Sequence, residues 1–171
     1  MKSQHKNTLW VDKIIGFWYC IFDKNMDKLC YTEKGNEEDV MDFLLMYLFA
    51  FSIFFVVDLL WLGVFAKNFY NKYLGFIMAK KVVWPAAIIF YLLFIFGLVY
   101  FAIAPAVDEA SFTVALQNGA LLGLLCYATY DLTNLATLKD WPLKVTIIDL
   151  VWGTFIGTTT AVLAYGLFTL I

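Results

Sequence analysis

Arginine is absent from this chain, and all twelve of its basic residues are lysine. Without a guanidinium there is no planar fork for bidentate phosphate or carboxylate recognition, which argues against a dedicated nucleotide or phosphate site. Histidine is nearly absent too. The single one, His5, lies at the very start, so a His-ligated metal centre has almost no basis. The three cysteines, Cys20, Cys30 and Cys126, are far apart and odd in number. None falls in a metal spacing, and Cys126 reads as a small apolar helix residue. There is no glycine-rich phosphate loop and no serine-nucleophile motif. No basic stripe suggests a nucleic-acid partner, and no cofactor is expected.

What is present is apolar chain. Of 171 residues, 63% are hydrophobic, and the mean hydropathy is +0.77. Soluble domains are about half apolar. Crossing a hydrocarbon core of ~30 Å takes ~20 mostly apolar residues in a helix. Only helices and closed barrels satisfy their backbone in lipid. The apolar runs are continuous, without alternation, so they read as helices. The expected fold is all-α: an integral membrane four-helix bundle.

Four spans are expected, at about Phe43–Phe65, Val82–Ala104, Phe112–Leu138 and Val145–Ile171. Pro85 sits where a first helical turn tolerates proline, Pro105 closes the second span, and Pro142 marks the last turn. Residues 1–40 read as a polar extension, poorly ordered or spurious, before a membrane domain over 41–171. Residues 1–42 carry six lysines and eight acids, and their one apolar patch, "IIGFWYCIF", is too short to span. No small-residue cleavage site follows it, which argues against a signal peptide. "TEKGNEEDV" reads as a solvated linker.

Loop charge gives an orientation. Lys67, Lys72, Lys80 and Lys81 lie between spans one and two, without an acid. Asp108 and Glu109 lie between two and three. Lys139 and Lys144 flank Asp140 between three and four. Lysine excess marks cytoplasmic loops, so both termini are expected outside, with a multi-pass chain in the cell inner (plasma) membrane. "FYNKYLGFIM" in the first loop reads as a short interfacial segment between helices one and two. Trp84 and Trp141 are expected in a cytoplasmic aromatic belt.

Three acids fall inside the spans: Asp58, Asp131 and Asp149. Counted from the helix ends, they sit roughly 10, 10 and 6 Å deep at 1.5 Å per residue. They therefore read as one layer in the cytoplasmic half. Span one carries Tyr47, Phe51, Phe54, Asp58, Trp61 and Phe65 at three- and four-residue steps, and span three carries Tyr127, Asp131 and Asn134 likewise. Gly119 and Gly123 form one GxxxG on a neighbouring face, and Gly153 and Gly157 form another after Asp149. Such pairs let membrane helices approach closely, so spans three and four are expected to be antiparallel neighbours. "VVDLLWLG" and "IIDLVWGT" echo each other in spans of opposite direction, the sense of an inverted repeat.

Several functions fit these residues. Acids in a membrane helix are costly and commonly mark ion, proton or substrate sites. The candidate site comprises Asp58, Asp131 and Asp149, with Asn134, Tyr127, Tyr130 and Tyr91 orienting them. Trp61 and Trp152 could box a cation. The partner would be a small solute, cation or proton, in addition to the lipid bilayer. A second reading makes the acids clasps in a non-catalytic scaffold or assembly partner, with Asp149 an interfacial cap. A third makes the chain a subunit of a lipid-modifying enzyme, with acids as general acid and base or Mg²⁺ ligands.

The words "DLLWLG", "FYNKYLG", "WPAAIIFYLLF", "GALLGLLCYATYDLTNLATLKDWP" and "DLVWG" resemble the DUF2177 family of small bacterial membrane proteins. The resemblance runs from about Met41 to the end. It implies a four-helix membrane architecture and no particular activity. Its words in spans one, three and four contain Asp58, Asp131 and Asp149.

Overall fold

The computed structural model describes residues 33–171, with side chains from residue 39 onward. Expectations for the apolar patch at 14–22, and for His5, Cys20 and Cys30, lie outside the described residues. Helix α1 covers Glu33–Trp61 and passes through a π-helical turn, Leu62–Ala66, into α2, Lys67–Leu74. Helix α3, Trp84–Leu98, passes through a second π turn, Val99–Ile103, into α4, Ala104–Asp108. Helices α5, Phe112–Thr137, and α6, Leu143–Phe168, are uninterrupted. By length and composition, four helical stretches can cross a membrane: Asp39–Leu74, Trp84–Asp108, Phe112–Thr137 and Leu143–Phe168.

Within "TEKGNEEDV" the described backbone, from Glu33 onward, is helical. The first span also continues beyond Phe65. It reaches Leu74 as one helical stretch of 36 residues, so "FYNKYLG" is not a separate piece. Lys67, Asn68, Asn71 and Lys72 end the apolar run but tolerate helical backbone. Hydropathy marked the change of solvent, and the helix ran through it.

The π turn has a visible effect on register. In a straight α-helix the buried stripe of Phe54 and Asp58 would continue near Phe65. Instead Phe65 is 63% exposed and Ala66 is fully buried. The wider turn accommodates an extra residue and delays the buried face by one position.

Pro105 does not close the second span, which runs on to Asp108. Proline has no N–H, so the carbonyl four residues earlier loses its helical donor. That carbonyl is Phe101 O, and the Asn118 side chain of α5 donates to it at 3.0 Å. A neighbouring helix thus supplies the missing bond, as membrane helices with internal proline require. Ser111 caps α5 by accepting the Val114 N–H at 3.4 Å. Asp140 reverses the chain before α6 with φ of 63°.

Helices α5 and α6 meet along glycine. A Cβ added to Gly123 would lie 2.0 Å from the Gly153 carbonyl oxygen, and one added to Gly157 would lie 2.5 Å from that of Gly119. One on Gly119 would come within 2.7 Å of the Ala161 Cβ. Backbone touches backbone, and each such pair runs antiparallel. On α5 the contact row is Ala115, Gly119, Gly123, Tyr127 and Asp131, a four-residue repeat. The glycines therefore share a packing row with Asp131 and are not on a neighbouring face. A ridge of i±4 residues, followed by a close partner, carries the row around the cylinder. Outside this core the spans expose large apolar side chains such as Leu59, Val64, Ile89, Leu121, Val151 and Phe155, a surface suited to lipid.

Candidate functional site

The three intramembrane carboxylates are all buried: Asp58 in α1, Asp131 in α5 and Asp149 in α6. Helical spacing sets each on an inward face, but their surroundings differ. Asp58 accepts a hydrogen bond from the Tyr91 hydroxyl of α3 at 2.9 Å. Asp149 accepts one from the Tyr70 hydroxyl of α2. Asp131 is wholly inaccessible, and neither of its carboxylate oxygens has a partner among the described residues.

The glycine row explains where Asp131 points. Gly123 contacts Gly153 and Gly157, and Tyr127 packs on Gly153. One step further along the row faces Asp131 toward Asp149, close enough for their charges to interact. Asp58 stands apart. Along the α1–α2 and α6 contact, Tyr73 meets Lys144, Tyr70 meets Asp149 and Trp61 meets Trp152. The numbering runs in opposite directions, so the two stretches are antiparallel. Asp149 lies on one side of the tryptophan pair and Asp58 on the other. Asp149 is thus held by Tyr70 and Asp58 by Tyr91, on opposite sides of the tryptophan pair.

The echoed words "DLLW" and "DLVW" meet at their tryptophans. The Trp61 and Trp152 rings stack with centroids 4.4 Å apart and planes 11° apart. Their inner faces cover each other, so a cation cannot lie between them. Tyr127 sits near the centre of the cluster. Its ring packs on Gly153 and edge-on to Phe94, and it lies within electrostatic reach of both Asp58 and Asp149. Phe54, fully buried, packs against Tyr91, the partner of Asp58, and against Phe94.

Other candidates lie elsewhere. Tyr130 is 59% exposed and meets the edge of Trp141. Asn134 is half-buried, one turn beyond Asp131, and hydrogen-bonds to none of the three acids. Trp141 is buried, and its indole N–H donates to Thr146 at 3.0 Å. It therefore locks the α5–α6 turn and is not a belt residue, whereas Trp84 is 67% exposed.

Tyr70 is the residue the sequence reading missed. It lies in the stretch that reads from sequence as a short interfacial segment, and the continuation of the helix to Leu74 carries it to Asp149. Nine residues separate Trp61 from Tyr70, half a turn out of phase on an ideal α-helix. The π turn between them reduces that offset, so both can address α6. Thr160, also buried with its hydroxyl unpartnered among the described residues, was likewise not anticipated. Among the described residues there is no group of three or more His, Cys, Asp or Glu side chains placed to hold a metal.

Four apolar helices with lipid-suited exteriors and an interior polar cluster define a polytopic helical membrane protein. The chain belongs to the family described as predicted membrane protein (DUF2177), which it matches over residues 43–166. That range contains every residue of the acidic cluster. No curated protein matches the chain, and neither does any solved structure.

Proposed function

We propose that this protein takes up a proton or a small cation at Asp131 and Asp149, in binding or transport across the membrane. The supporting observation is Asp131: fully buried, with both oxygens unpartnered and a second carboxylate nearby. An isolated ionised carboxylate in an apolar interior is very costly. Two adjacent ones repel each other as well. A proton or a bound cation relieves both terms.

In this reading the lysine-rich loops lie in the cytoplasm of the cell whose inner membrane holds the protein, and both ends of the four-span domain lie outside. Asp131 and Asp149 each lie six residues from the helix ends that flank the α5–α6 turn. Tyr70, from the extension of span one, closes over Asp149. Tyr127 stands between this pair and the Asp58–Tyr91 pair, and its hydroxyl is the group best placed to connect them.

The test is reconstitution in vesicles containing a pH-sensitive dye, with a proton gradient imposed alone or opposed by Na⁺ or K⁺. Wild-type protein is expected to dissipate the gradient, and Asp131→Asn to stop doing so while remaining folded. Equal leakage with and without wild-type protein would remove transport from the proposal.

A second reading has its own observation. The Asp58–Tyr91 bond joins spans one and two, and the Tyr70–Asp149 bond joins spans one and four. These are clasps of the kind a scaffold needs. Under that reading Asp131→Asn leaves vesicle behaviour unchanged, while loss of either tyrosine loosens the bundle.

A further inference from the structure

A separate feature lies at the lysine-rich end, and it does not depend on the acidic cluster. Lys72 of α2 and Lys144 of α6 converge on one ring. The Lys72 ammonium is 5.5 Å from the Tyr73 ring centroid and that of Lys144 is 5.4 Å from it. Lys144 also donates to the Tyr73 hydroxyl at 3.3 Å. Two cations on separate helices are thus held within about 11 Å of each other, the most those two ring distances allow. Neither forms an ion pair among the described residues. Lys67 lies on α2 with Lys72, Lys80 and Lys81 follow that helix, and Lys139 lies before α6, with Asp140 the one acid across residues 66–84 and 138–144.

The surface beside them is apolar. Phe76, Ile77 and Met78, and then Val82, Val83 and Trp84, are 49% to 67% exposed. These two triplets bracket Lys80 and Lys81. Such a surface suits the boundary between headgroups and acyl chains.

We infer that Lys72 and Lys144, oriented by Tyr73, bind the phosphate of an anionic phospholipid whose chains lie along the exposed apolar loop. Charge complementarity calls for an anion. The adjoining apolar surface selects an anion that carries hydrocarbon over free phosphate. Lysine serves here as a point charge, which suits a headgroup held without a fixed bidentate geometry.

The test uses the full chain in neutral detergent, with bound lipid counted by native mass spectrometry. Phosphatidylglycerol, phosphatidylcholine and inorganic phosphate are the probes. Phosphatidylglycerol is expected to be retained over phosphatidylcholine. The double variant Lys72→Gln/Lys144→Gln should weaken that retention by roughly tenfold, more than Lys80→Gln/Lys81→Gln does. Should the double variant fail to accumulate, a salt titration of wild-type protein decides instead: retention must fall as NaCl rises. Undiminished retention in the folded double variant, indifference to salt, or displacement of the lipid by equimolar inorganic phosphate would each overturn the assignment.

Discussion

Spans one and two meet through rings, and spans three and four meet through the lack of side chains. Between the first two, Phe43 packs on Phe96, Phe54 on Phe94, and Phe55 on Tyr91. Between the last two, the glycine backbones of α5 and α6 are in contact. The difference carries over to the acids. In the aromatic region there is space for a long polar side chain to reach across, and Tyr91 finds Asp58. In the glycine region the backbones of α5 and α6 touch, and the long side chain that reaches an acid there is Tyr70, which comes from α2 to Asp149. Asp131 sits on that close-packed row and is left with its neighbour Asp149. Asp131, on that tight row, is the one of the three carboxylates with no hydrogen-bond partner among the described residues.

The largest expected effect breaks the glycine side of this comparison. Gly123→Leu drives a side chain into the Gly153 backbone, and the folded protein should not accumulate in membranes. Gly123→Ala should lower stability by at least about 1–3 kcal/mol, the usual range for overpacking. Gly63→Ala, where an added Cβ meets nothing within 4 Å, is the control and should be neutral or slightly stabilising. Thermal unfolding in detergent checks all three.

Next comes the aromatic side. Tyr91→Phe removes the hydrogen-bond partner of Asp58 while keeping the ring, and should cost about 1–3 kcal/mol. Tyr70→Phe should do the same to Asp149, with a loss of similar size because both tyrosines are half-buried. If both tyrosines prove silent, the partnered acids are not clasps, and the distinction between the two regions weakens. The smallest effect is expected from Ser111→Ala, which removes the cap of α5, about 0.5 kcal/mol at the low end of the usual range because the bond is long. It touches neither region and calibrates the others.

Much of the architecture was legible in the sequence because apolar length and glycine spacing are one-dimensional signals. The four spans and the antiparallel pairing of the last two followed from them. The partner of each acid did not. Which face of a helix turns inward, and by how much, depends on π turns such as Leu62–Ala66, and no residue pattern announced that one. Hydropathy places the end of span one at Phe65, so Tyr70 falls in the segment that reads as interfacial, and its bond to Asp149 leaves no mark in the sequence. Depth counted from apolar run ends put the three acids in a single layer. The stacking of Trp61 on Trp152 divides them, because antiparallel helices carry their "DLxW" words in opposite directions. Asn118 held a subtler signal. A polar residue in span three gains a reason only when Pro105, thirteen residues earlier, frees a carbonyl beside it.

The central claim is that Asp131 is a ligand site and not a structural clasp. Infrared difference spectroscopy of the folded protein, run beside thermal unfolding, tests it most directly. A carboxyl band that responds to pH or to added Na⁺ or K⁺ should appear in wild-type protein and vanish in Asp131→Asn, with the melting temperature unchanged or raised. A band unaltered by the substitution, or a variant that loses its fold, would contradict the account.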